Sequence, residues 1–122
     1  MSGSQTPGFV KACALSDIPD SGILSVELNQ DEIAIVRTEG EVFAIRDWCS
    51  HAAVPLSEGE VDGYTIECWL HNSRFDLRTG KPTGLPATEP VATFPVEVRP
   101  NADGTAEIYI DVTTTLNGVT PQ

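Results

Sequence analysis

Short apolar runs alternate with tight polar turns along most of this chain, a spacing that favours strands over helices. Phe9 to Ala14 reads as a first strand, and Leu15 to Gly22 as a turn in which Ser16 or Asp17 caps a short helical turn. Ile23 to Leu28 alternates apolar and polar, the period of a half-buried strand. Polar turns at Asn29 to Glu32 and Thr38 to Glu41 then lead into Ile33 to Arg37 and Val42 to Ile45. Near the other end, Val91 to Val98 and Thr105 to Ile110 are strands joined by Arg99 to Gly104. Pro95 has no N–H to give a ladder and belongs at an edge or a bulge. The pattern predicts an all-β fold, an antiparallel sheet sandwich or small barrel.

Residues 46–86 break the rhythm. Gly59, Gly63, Gly80 and Gly84 punctuate them, and Tyr64 to Cys68 and Phe75 to Leu77 are the short strands expected there. The organisation that follows is one domain over residues 1–111, with an insertion at about 46–86, and a loose Thr-rich tail over 112–122.

The insertion also holds the chain's candidate chemistry. Cys49-Ser50-His51 and Cys68-Trp69-Leu70-His71 are separated by sixteen residues, and they contain both histidines and two of the three cysteines. Each pair offers a soft thiolate and an imidazole, so two such segments facing each other present two sulfurs to one metal and two nitrogens to another. A structural zinc site uses the same residue types but ordinarily pairs Cys with Cys and His with His. The mixed pairing favours two irons; zinc, and chance clustering, stay open on the residues alone. With Cys49 and Cys68 on a metal, Cys13 has no disulfide partner and reads as a small buried side chain.

At these residues the chain resembles the Rieske [2Fe-2S] family, whose pattern is C-x-H, a gap, then C-x-x-H. Leu56-Ser57 with Gly59, Ser73-Arg74-Phe75-Asp76, Arg78-Thr79-Gly80-Lys81 and Leu85-Pro86-Ala87 extend the likeness to the small ferredoxins of ring-hydroxylating dioxygenases. The resemblance covers roughly residues 9–111 and implies a Rieske fold with an inserted cluster-binding subdomain. It implies that Cys49, His51, Cys68 and His71 hold one [2Fe-2S] cluster, that Ser73 donates to a cluster sulfide, and that the His51 and His71 edges give an electron its exit. Two ferric ions, two sulfides, two thiolates and neutral imidazoles sum to zero charge, against minus two with four thiolates, so the His pair makes a milder reductant.

Three departures from high-potential relatives imply a potential near the lower Rieske limit of about −150 mV. Phe75 stands where they often carry Tyr, and Val54 and Leu70 stand where they carry a disulfide. Apolar packing by Val54, Pro55, Trp69 and Leu70, under the Leu85-Pro86 turn, must then hold the ligand segments. Asn72 replaces a usual Gly and tolerates the left-handed region best among other residues.

Charge and termini narrow the partners. Eighteen acidic residues against seven basic ones, a formal charge of −11, argue against binding nucleic acid. Acidity that serves only solubility is the plain alternative to a protein partner. Residues 1–8 lack a signal peptide's charged and apolar regions, and no window approaches a membrane span, so the expected location is the cytoplasm. There is no nucleotide fingerprint, nucleophile elbow or spare His for acid–base work, so the chain reads as a carrier rather than an enzyme. The resemblance implies a flavoprotein ferredoxin reductase and a terminal oxygenase as partners. The alternatives are an accessory subunit of a nitrite reductase, a ferredoxin associated with iron–sulfur assembly, and a structural zinc module.

Overall fold

The computed structural model describes residues 9–28, 31–48, 54–69, 73–83, 90–113 and 115–118. Among the described residues ten strands make three antiparallel sheets. The first sheet orders β1 (Phe9–Ala14), β10 (Ala106–Asp111) and β9 (Val96–Pro100). The second orders β2 (Gly22–Leu28), β3 (Asp31–Thr38), β4 (Glu41–Arg46) and β8 (Thr93–Phe94). The third, β5 (Glu60–Asp62), β6 (Thr65–Glu67) and β7 (Arg74–Asp76), lies wholly inside the insertion.

The hydrophobic pattern explains how these sheets stack. Ile33, Ala34, Ile35 and Val36 of β3 are all fully buried, although successive side chains point to opposite faces. Ile33 and Ile35 join Ile18, Phe94, Ile108 and Ile110 in one core, between the second sheet and the first. Ala34 and Val36 join Leu56, Ile66, Cys68, Phe75 and Leu77 in another, beneath the third sheet. A strand covered on both faces needs a continuous apolar run, which is why β3 does not alternate. The sandwich is therefore extended by a further layer, and Cys68 is part of that layer's core.

Local chemistry fixes the turns. Glu39 and Gly40 both take positive φ (53° and 77°), the two-residue geometry that matches strand twist between β3 and β4. Of the turn expected at 29–32, Asp31 and Glu32 already belong to β3, and residues 29 and 30 lie outside the described residues. The helical turn Leu15–Asp17 is capped from within, its Asp17 carboxylate accepting the Ala14 amide at 3.0 Å, and Arg37 Nη1 donates to the Ile18 carbonyl at 2.9 Å.

Further expectations need correction. The single strand at 91–98 is two strands: β8 pairs with β4, β9 pairs with β10, and the chain changes sheets at Pro95. A residue without an N–H is well placed where one ladder ends and another begins. The tail is not loose over residues 115–118, because the Leu116 amide donates to the Thr93 carbonyl at 2.8 Å and the Asn117 side chain is bonded into the fold. Polar backbone at the sheet margin supplied partners that a Thr-rich composition does not reveal. Strand β5 also lies in a stretch where no strand was expected.

Candidate metal centre

The register of the third sheet gives it two ends. Glu60, Glu67 and Arg74 lie at one end, and Asp62, Thr65 and Asp76 at the other. Cys68 follows β6 and Ser73 precedes β7, so both stand at the first end. The Cys68 amide donates to the Ser73 carbonyl at 2.7 Å, which joins the two flanks of the second candidate ligand segment. Both side chains are fully buried.

Among the described residues the Ser73 hydroxyl has no hydrogen-bond partner. Leaving such a group unsatisfied costs about 1–3 kcal/mol, so a buried orphan donor marks a place where an acceptor belongs. A sulfide of an iron–sulfur cluster is an acceptor of that kind. A buried cysteine sulfur with a spare hydroxyl beside its backbone fits a cluster of the Rieske type.

Cys49, His51 and His71 lie outside the described residues, as do Leu70, Leu85 and Pro86 of the apolar packing set. Val54 packs against the core that holds Cys68, and Trp69, next to Cys68 in sequence, is 49% exposed. Phe75 is fully buried in the same core.

A residue that the motif reading did not single out ties together the flanks of the first candidate ligand segment. Asp47, only 2% exposed, precedes Cys49 by two positions. Its carboxylate accepts three hydrogen bonds at 2.7 Å, from Ser25 Oγ of β2 and from the Ser57 amide and hydroxyl. Its amide donates to the Glu32 carbonyl of β3 at 2.9 Å. The chain on both sides of residues 49–53 is thus tied to the margin of the second sheet at one point. A buried carboxylate is costly unless paired in this way, and the Ser57 partner belongs to a motif visible in sequence. Ser25 gave no signal, since only pairing of β2 with β3 brings it near.

Gly59 lies where the flanks of the two candidate ligand segments meet. A Cβ there would collide with the carbonyl of Glu67, the residue before Cys68, so the chain after the first segment packs directly on the backbone that starts the second. Cys13, by contrast, lies in the other core, where burial, and secondarily Asp17, push its thiol pKa up. It behaves as the small apolar side chain its isolation suggested.

Residues 8–95 match the Rieske [2Fe-2S] domain family. The ferredoxin component of a naphthalene 1,2-dioxygenase/salicylate 5-hydroxylase system from Ralstonia is 40% identical over 76% of this chain and 89% of its own length. The ferredoxin subunit of 3-phenylpropionate/cinnamic acid dioxygenase from Photorhabdus laumondii is 46% identical over 82% of this chain and 90% of its own. Among solved structures, a chain of the complex of reduced oxygenase and oxidized ferredoxin in carbazole 1,9a-dioxygenase superposes with a TM-score of 0.75 at 34% identity. That match covers 87% of this chain and 94% of the other. Family, fold and the orphan serine agree, and the zinc reading falls away: this chain belongs to the Rieske [2Fe-2S] domain family and carries one cluster of that type.

Proposed function

We propose that this protein is a ferredoxin, a one-electron carrier that receives electrons from an NAD(P)H-oxidising flavoprotein reductase and delivers them to the terminal oxygenase of an aromatic-ring hydroxylating dioxygenase in the cytoplasm. The observation that carries this reading is the length of the match. The chain spans about nine-tenths of relatives named as ferredoxin components of dioxygenase systems, so the likeness takes in nearly all of those carriers and not a Rieske motif alone.

In this reading Cys49 and Cys68 would hold one iron and His51 and His71 the other. When bound, the cluster supplies a single site that gains and loses one electron. The chain's own residues do the rest. Asp47 and Ser57 fix the ends of the first ligand segment, and the Cys68–Ser73 backbone bond fixes the second. Ser73 would offer its hydroxyl to a sulfide, which would favour the more negative reduced state. The Val54, Leu56, Ile66 and Phe75 core keeps water from the Cys68 side.

The purified protein is expected to contain two irons and two labile sulfides per chain and to give a rhombic EPR signal only after reduction. Reduced protein mixed with a terminal oxygenase of this class in a stopped-flow instrument should be oxidised in one phase. A cluster-loaded protein that neither a ferredoxin reductase reduces nor an oxygenase oxidises would overturn the carrier assignment. In that outcome the accessory-subunit alternatives take its place.

A further inference from the structure

The end of the third sheet away from Cys68 is tied to the rest of the molecule by a residue outside the segment that matches the family, residues 8–95. Asn117 Nδ2 donates to the Thr79 carbonyl at 2.9 Å and to the Val91 carbonyl at 2.8 Å, while its Oδ1 accepts the Thr93 amide at 3.3 Å. Two carbonyls can only accept and one amide can only donate, so these partners fix the orientation of the carboxamide. Thr79 belongs to the turn after β7, whereas Val91 and Thr93 lead into and form β8 of the second sheet. One side chain therefore bridges the cluster-bearing sheet and the barrel.

The surrounding backbone is shaped around that bridge. Gly80 has φ of 78°, its carbonyl accepts the Val91 amide at 2.8 Å, and a Cβ on it would strike both the Val91 carbonyl and Asn117 Nδ2. On the same side of the sheet, Thr38 Oγ1 donates to the Gly63 carbonyl at 2.8 Å, a second tie between β3 and the β5–β6 turn. β7 runs from this anchored end to Ser73, and its partner β6 runs from it to Cys68.

We propose that Asn117 is a positioning residue, a clasp by which the C-terminal segment locks the sheet carrying Cys68 and Ser73 onto the barrel and so keeps the cluster site closed. The carboxamide acts as a two-way connector, donating to both units and accepting from one. Aspartate has its shape but meets the two carbonyls with oxygen where nitrogen donated. A clasp built on donor chemistry must suffer more from aspartate than from alanine; a residue that only fills space must tolerate aspartate best.

The test uses the cluster-loaded full chain and three variants: Asn117→Ala, Asn117→Asp, and Leu116→Ala, which keeps the residue-116 amide but removes an exposed side chain. Hydrogen exchange at the Val91 and Thr93 amides should rise at least tenfold in Asn117→Ala, and further in Asn117→Asp, with exchange in β2 and β3 unchanged. The visible colour in excess iron chelator should fade several-fold faster in the same order, and the reduced EPR lines should broaden. Leu116→Ala should match the parent in all three measurements. A chain truncated after Val112 should reproduce Asn117→Ala, which keeps the test open if either point variant folds poorly. Asn117→Asp behaving like the parent, exchange rising evenly through every strand, or colour loss unchanged in all variants would each overturn the clasp.

Discussion

At the scale of single residues, the site is decided by hydrogen-bond capacity at buried positions. Ser73 and Phe75 are both fully buried, yet one carries a donor without a partner among the described residues and the other has none to give. A donor to sulfur stabilises the reduced, more negative state, so Ser73→Ala should lower the midpoint potential. Phe75→Tyr should raise it where the new hydroxyl meets a ligand sulfur. A net hydrogen bond of about 0.5–1.5 kcal/mol corresponds to roughly 20–65 mV for one electron. Voltammetry on the two variants with intact clusters measures both signs; a rise for Ser73→Ala would remove Ser73 from the cluster's environment.

Among elements, the close approach at Gly59 is the tightest constraint on the site. Its φ is −91°, which any residue adopts, so the requirement is space and not backbone freedom. Gly59→Ala must push the turn Leu56–Glu58 away from Glu67, and overpacking of this kind costs about 1–3 kcal/mol. Denaturant melts should show a loss of that size, and cluster content should fall with it because the displaced backbone leads straight to Cys68. The same substitution at Gly63, whose Cβ direction is open but whose φ is 60°, should strain the turn while leaving cluster content intact, as iron analysis would show.

For the whole molecule, charge is divided unevenly. Residues 46–86 carry a net −2 and the remainder −9. Within the insertion, Arg74 pairs with Asp62 at 3.3 Å and Glu67 at 3.5 Å, and Arg78 with Asp76 at 3.2 Å, so part of its charge is satisfied internally. A strongly basic partner would be drawn to the barrel and away from the cluster. Docking at the cluster end should instead rest on a small apolar patch around the half-exposed Trp69, with Val54, Leu70 and Pro86 as the other candidates. Electron transfer to the oxygenase should then depend only mildly on salt, and Trp69→Ala should slow it about tenfold, the cost of one modest interface anchor. Stopped-flow rates across a salt series decide this; a steep fall with salt, together with an unaffected Trp69→Ala protein, would exclude the apolar patch.

Local order determined much of this. Strand periodicity, the Cys-x-His and Cys-x-x-His spacing and the Leu56-Ser57 with Gly59 motif are contained in short stretches of chain, so all-β architecture and cluster chemistry were legible before any coordinates. The orphan state of Ser73 was not, because satisfaction of a hydroxyl depends on every neighbour that folding brings within reach. Ser25 meets Asp47 across 22 positions, and Asn117 meets Thr79 across 38, separations at which a sequence pattern carries no phase. The apolar run of β3 announced burial but not that two different cores would share it. Pro95 marked an interruption, while the choice of which sheet each side of it would join fell to pairing partners elsewhere in the chain. Short-range stereochemistry writes strands and ligands into the sequence; only long-range packing and hydrogen-bond closure decide what ties the cluster-bearing sheet to its base.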